Sequence, residues 1–331
     1  MEHKNNKEII SNNLIRFKFN GKFGILMQDG KTWLVEPRYD WIDTKGTGFW
    51  IEINGKYGLL NIDGSILLEP KYDWIEVTKN GYKVELNAKY GFYKLDGTNI
   101  VKPLYDSVVI WKTFIKVQLD NKCGLLKPDG TIIFEPKFDG IYLKEYGISI
   151  KLNDKWGMLK LDGGILIEPK FDWLHLEKNG FRVSLEKKMG FLNKDGSILF
   201  EPKYESLFFY KHGFYVQLNR KYGFLNSDGV TWLLEPKFDW IGVYVNFFIV
   251  GLNGKAGILK SDGQKWLVEA KYDSISFMLN GFLSKLNGKI GAINLDGTVI
   301  FDPKYDSICF ESNGCRVKLD SIEYFRSYSK L

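Results

Sequence analysis

A step of Lys, one variable residue and Gly returns nine times along this 331-residue chain. Its glycines are Gly24, Gly58, Gly91, Gly124, Gly157, Gly190, Gly223, Gly257 and Gly291, so the period is 33 or 34 residues. Six residues on, every copy carries Asp-Gly, from Asp29-Gly30 to Asp296-Gly297. A third mark follows, written in full as Glu69-Pro70-Lys71-Tyr72-Asp73, with variants that include Lys102 for Glu, Leu104 for Lys, Glu205 for Asp and Ala270 for Pro. Self-similarity at this period means one small unit stacked on copies of itself. It predicts nine repeats in one repeat domain over residues 14–320, a polar N-terminal tail at 1–13 and a C-terminal tail at 321–331.

Each copy reads as short strands and tight turns without a helix. In residues 57–89, Tyr57 to Ile62 is a strand, apolar on both faces, and Asp63-Gly64 reads as a two-residue type I′ hairpin. Ser65 to Leu68 returns as a second strand, which Pro70 is expected to end. Trp74 to Val77 is a third strand, and Tyr82 to Leu86 a fourth with Tyr82, Val84 and Leu86 inward. Leu59, Leu67, Ile75 and Val84 are the expected core. A unit this small cannot bury its own faces and must stack on neighbours. The fold class is therefore all-β, a tandem array of nine antiparallel units of about 33 residues. An open superhelical stack is slightly favoured over a closed nine-bladed propeller, because Asn13 to Asn20 is a fourth strand surplus to nine blades.

The three marks together resemble the WG-repeat (KWG-repeat) family of bacterial proteins. Lys155-Trp156-Gly157 is the copy with the full Lys-Trp-Gly; the others replace the Trp, as with Tyr57, Cys123 or Ile290. The resemblance covers nearly the whole chain. It implies a β-rich repeat protein of variable copy number, and it brings no catalytic residues with it.

The repetition itself argues against an enzyme, since an active site is one constellation of unlike residues. The acids that catch the eye are turn residues, Asp29, Asp63, Asp96 and their counterparts. The Glu and Lys of the Glu-Pro-Lys step are expected to form surface ladders of opposite charge. His3, His175 and His212 sit in three different settings, and Cys123, Cys309 and Cys315 form no CxxC. No cofactor and no metal site is expected. A net charge of +6 is concentrated at the two ends, while the body carries interleaved signs, which speaks against nucleic acid. No apolar run approaches the ~18 residues of a membrane span. Met1 to Ile10 is polar, so a cytoplasmic protein without signal peptide is expected, signal-less secretion staying open.

One position varies more than a core allows. After the Tyr-Asp step stand Trp41, Trp74, Ser107, Gly140, Trp173, Ser206, Trp240, Ser274 and Ser307. The next residue is always aliphatic, from Ile42 and Ile75 to Ile308. A packed site does not exchange Trp for Gly without a penalty of roughly 3–5 kcal/mol. The aliphatic residue is therefore core and its neighbour lies at a surface. An exposed Trp there either packs against a neighbouring repeat or meets a partner. Trp41, Trp74, Trp173 and Trp240 are the candidate binding residues on the second reading, with Trp41 and Trp74 expected to share one apolar patch. The leading function is a non-catalytic scaffold for a protein or peptide partner. Carbohydrate binding on the same Trp rings and a structural or filament role are the alternatives.

Overall fold

The computed structural model describes residues 7–11, 14–45, 48–210, 213–278, 281–311, 314–320 and 322–327. Among them there is no helix. The strands form ten antiparallel sheets, nine of four strands and a last one of three. The protein is an all-β tandem array.

Sheets and sequence copies are out of phase by half a repeat. The third sheet runs Trp74–Thr78, Gly81–Leu86, Lys89–Tyr93 and Asn99–Tyr105, paired in that order. Its first two strands close one sequence copy and its last two open the next. Nine copies divided in this way yield ten sheets. The surplus strand Leu14–Phe19 pairs with Lys7–Ser11 inside the first sheet. The segments read as tails thus contribute strands, because Ile322–Ser327 likewise pairs with Gly314–Leu319.

Turn chemistry sets this phase. Asn87 and Ala88 both have positive φ, 52° and 59°, as do Asn54 and Gly55, 52° and 73°. Two consecutive left-handed residues make the type I′ turn whose twist suits a hairpin. It joins the second strand of a sheet to the third, across the boundary between sequence copies. The sequence reading placed that turn at Asp63-Gly64. There only Gly64 is left-handed, φ 83°, and its N–H donates to the Asn61 carbonyl at 3.0 Å. The loop is a type I turn closed by a left-handed glycine, one residue longer. Asp63 stabilises it by accepting the Ser65 N–H at 2.9 Å.

Pro70 does not end its strand. Ile66–Tyr72 is continuous, and Tyr57 pairs with Tyr72 while Leu59 pairs with Leu68. A step of two residues on one strand therefore faces a step of four on the other. Pro70, which has no N–H to offer, lies in this bulge. Gly58 faces it so closely that a Cβ would sit 2.7 Å from the Pro70 nitrogen. The recurrent Gly of Lys-x-Gly and the recurrent Pro are two halves of one contact.

The core lies between sheets, not within them. Leu59, Leu68 and Tyr72 of the second sheet meet Ile75, Tyr82 and Val84 of the third in one buried cluster. Leu68 holds the place expected of Leu67, which packs half-buried at the margin. A second bulge lies there: Leu60 pairs with Ile66 and Leu59 with Leu68, which leaves Leu67 as the extra residue. The chain divides into two compact units, Met1–Pro169 and Lys170–Leu331. Among the described residues the first unit holds four such clusters between its successive sheets. The second holds four of its own.

Candidate functional site on the first strands

The residue that starts each sheet is fixed by the one before it. Asp73 accepts an ammonium proton from Lys56 of the preceding sheet on Oδ1, and the Asn87 N–H at 2.6 Å on Oδ2. Its own N–H donates to the Glu85 carbonyl at 2.9 Å. The same clasp recurs as Lys22–Asp40, Lys89–Asp106, Lys221–Asp239, Lys255–Asp273 and Lys289–Asp306. The lysine hydrogen bond holds each of these aspartates below the usual carboxylate range, with the backbone N–H adding to it. These pairs take the place of the expected Glu-Pro-Lys ladder. The lysine of that step lies instead over the adjoining aromatic ring, as Lys71 does on Tyr72 at 5.6 Å.

The aspartate clasp aims the next residue outward and the one after it inward. Ile75 is buried, and Trp74 beside it is 43% exposed; Trp41, Trp173 and Trp240 are 36%, 39% and 42% exposed. All four begin the first strand of a sheet, and that strand is a sheet edge. Trp173 stacks on His175, with centroids 5.5 Å apart and planes 9° from parallel. The Arg182 guanidinium lies 5.3 Å from the same indole, 6.0 Å from Phe208 of the next sheet, and donates to the Leu207 carbonyl at 2.9 Å. Trp240 lies across Gly251 on its neighbouring strand. Among the described residues no ring contact joins Trp41 to Trp74, so the expected shared patch is not a direct stack.

The four Trp are part of a larger series that the sequence reading missed. In the second to ninth sheets, every exposed aromatic ring among the described residues lies on a first strand or on the turn behind it. Where the first position is Gly140, Ser206 or Ser274, a ring appears two or three residues later, as Tyr142, Phe208 or Phe277. Tyr210 and Tyr244 extend the series, and Tyr244 meets Phe277 of the following sheet with centroids 5.4 Å apart. The signal was present as a ring moved along the strand. Alignment column by column hides it.

Other candidates are used structurally. Cys123 and Cys315 are buried in clusters between sheets and Cys309 is exposed; no disulfide joins them. His3 and His212 lie outside the described residues. Among the described residues no three His, Cys, Asp or Glu side chains gather as a metal site would need, and no helix is long and apolar enough to cross a membrane.

Five stretches, residues 57–82, 156–181, 189–217, 222–255 and 290–321, match a family described as WG containing repeat. No curated protein matches the sequence. Among solved structures, a eukaryotic initiation factor is similar over 87% of this chain and 94% of its own, at 8% identity and a TM-score of 0.30. PorZ, a surface component of the type-IX secretion system of Porphyromonas gingivalis, is similar over 96% and 58%, at 11% identity and a TM-score of 0.22. The extracellular domain of BT4673 from B. thetaiotaomicron is similar over 99% and 76%, at 8% identity and a TM-score of 0.26. At such values the functional reading rests on the chain's own surface.

Proposed function

The chain belongs to the WG-containing-repeat family, and from that premise we propose that it is a non-catalytic scaffold that binds a protein or peptide partner along its first strands. The observation that carries this reading is the confinement of exposed aromatic rings to those edge strands. Rings supply large contact area at small entropic cost and are favoured as binding anchors. An edge strand adds unpaired main-chain groups to which an extended segment can pair. The absence of catalysis is part of the proposal. What supports it is that the repeated carboxylates are already engaged, those of the hairpins by turn N–H groups and those of the sheet junctions by lysine.

The test is selection of a displayed peptide library on the intact chain, followed by titration of the recovered peptides. The reading expects binding that weakens at least about tenfold when Trp41, Trp74, Trp173 and Trp240 are all replaced by Ser, with the β-sheet circular dichroism unchanged. Retained binding removes the Trp from the contact surface. A glycan array run on the same two proteins examines the carbohydrate alternative, which gains if glycans rather than peptides are retained and then lost in the variant.

A further inference from the structure

The fourth sheet departs from the repeat at the turn behind its first strand. Most sheets open their second strand with glycine, such as Gly81, Gly147, Gly180 or Gly213; in the fourth the buried Phe114 stands just before a second strand that opens at Ile115, and in the eighth Phe247 takes the glycine's place. The Trp111 N–H donates to the Phe114 carbonyl at 2.8 Å and closes a different turn, as the Tyr244 N–H does with the Phe247 carbonyl at 3.1 Å. Trp111 packs half-buried against the cluster between the fourth and fifth sheets. It belongs to none of the repeated Trp positions.

This turn and its neighbour in the third sheet enclose a pocket of about 490 Å³. Phe92, Ile110 and Trp111 contribute its apolar surface, and Lys79, Lys94 and Lys112 bring three ammonium groups to its walls. No Asp or Glu lines it. The carboxylates of the nearby hairpins are held in their own turns: Asp96 accepts the Thr98 N–H at 2.8 Å and Asp129 the Thr131 N–H at 2.9 Å. The three lysines are exposed. Three lysines gathered around an aromatic floor, with no acid lining it, give the pocket a positive sign.

We propose that this pocket docks an acidic peptide segment of a protein partner. The segment adds to the open edge of Ser107–Ile110, seats an apolar side chain on Trp111 and sets carboxylates against Lys79, Lys94 and Lys112. Three features favour a peptide over another anion. Ile110, in the pocket wall, ends a strand that is a sheet edge among the described residues, so main-chain pairing is on offer. The cations are lysines, which suit single carboxylates and lack the planar fork that reads phosphate bidentately. The floor takes a side chain as well as a charge. The proposal rests on the protein-binding reading above and assigns it a partner chemistry and a place.

The probe is a fluorescein-labelled peptide, Glu-Phe-Glu-Val-Glu, titrated with the intact chain and read by anisotropy. Expected are binding that weakens at least about tenfold in the Lys79→Gln, Lys94→Gln, Lys112→Gln protein and a similar loss when salt rises from ~0.05 to ~0.5 M. A peptide with Gln for every Glu should bind correspondingly less. These variants alter exposed side chains and should keep the fold, which circular dichroism checks. No binding, equal binding by the Gln peptide, or no effect of the triple substitution overturns the proposal. So does displacement of the peptide by a sulfated oligosaccharide at equal concentration, which marks a site for polyanions at large. If the acidic peptide fails here while library peptides still depend on the four Trp, the pocket falls alone. If no peptide is selected at all, the protein-binding reading falls with it.

Discussion

The indole of Trp240 covers the α-carbon of Gly251 on the adjacent strand, so that a Cβ there would lie 2.2 Å from the indole Nε1. The equivalent neighbours of Trp41, Trp74 and Trp173 are Glu52, Glu85 and Ser184, so among the four only Trp240 faces a residue without a Cβ. Gly251→Ser should therefore lift the ring without breaking the strand. The expected cost is about 1 kcal/mol, with Trp240 emission shifting toward the red as the ring enters water. Unchanged emission would show that the ring does not rest on the glycine.

Acid should loosen the array through its aspartate clasps. Asp40, Asp73, Asp106, Asp239, Asp273 and Asp306 are all held below their ordinary 3.8, first by a lysine hydrogen bond. A group whose folded value is depressed binds fewer protons folded than unfolded, so stability rises with pH where it titrates. The contribution is whole above the unfolded value and is lost as pH falls through the lower folded one. Urea midpoints should be level from about pH 7 to 5 and decline below about pH 4. A level midpoint down to pH 2.5 would count against the clasps.

Two turn residues carry removable strain. Glu186 and Lys187 have φ of 51° and 63°, left-handed values in a type I′ turn that other copies fill with Asn54-Gly55, Asn253-Gly254 or Asn287-Gly288. Left-handed geometry costs a residue with a Cβ roughly 1–2 kcal/mol, and Gly much less. The pair Glu186→Asn, Lys187→Gly should raise unfolding free energy by about 1 kcal/mol in chemical denaturation. A loss of stability would mean that the turn in solution is of another type.

Leu67 and Leu68 show what the sequence conceals. Both are leucine, and period-two alternation from Ser65 selects Leu67 as core. A second bulge, between Leu60–Ile66 and Leu59–Leu68, makes Leu67 the extra residue, and Leu68 is the buried one. Repetition made the strands and the core aliphatics Leu59, Ile75 and Val84 legible, because each keeps its place relative to the repeated marks. The half-repeat phase was written in Asn54-Gly55, Asn253-Gly254 and Asn287-Gly288, the usual type I′ pair, but not in Asn87-Ala88 of the copy that was read, where Ala gives no sign of a left-handed φ. Among the binding candidates, Trp41, Trp74, Trp173 and Trp240 stood out by type. Tyr142, Phe208 and Phe277 escaped because each lies two or three residues off the aligned position. Leu68→Ala should cost about 2–5 kcal/mol and Leu67→Ala distinctly less, a difference that equilibrium denaturation of the two variants resolves.

The sharpest requirement of the fold is the meeting of Gly and Pro across the bulge. In the copy with Lys-Trp-Gly, a Cβ on Gly157 would lie 2.5 Å from the Ile167 carbonyl oxygen and 2.6 Å from the Pro169 nitrogen. Both are backbone atoms of one strand, so no side-chain rotation relieves the clash. Gly257 faces Ala270 instead of a proline, and its Cβ would still lie 2.7 Å from that residue's nitrogen. The closeness therefore belongs to the bulged backbone and not to the proline ring. Gly157→Ala must push the two strands apart, break their register and open the cluster beneath them. The expected loss is at least about 3 kcal/mol, beyond the usual range for a surface strand. Adding Pro169→Ala should not restore it. Recovery of stability in that double variant would place the constraint in the ring.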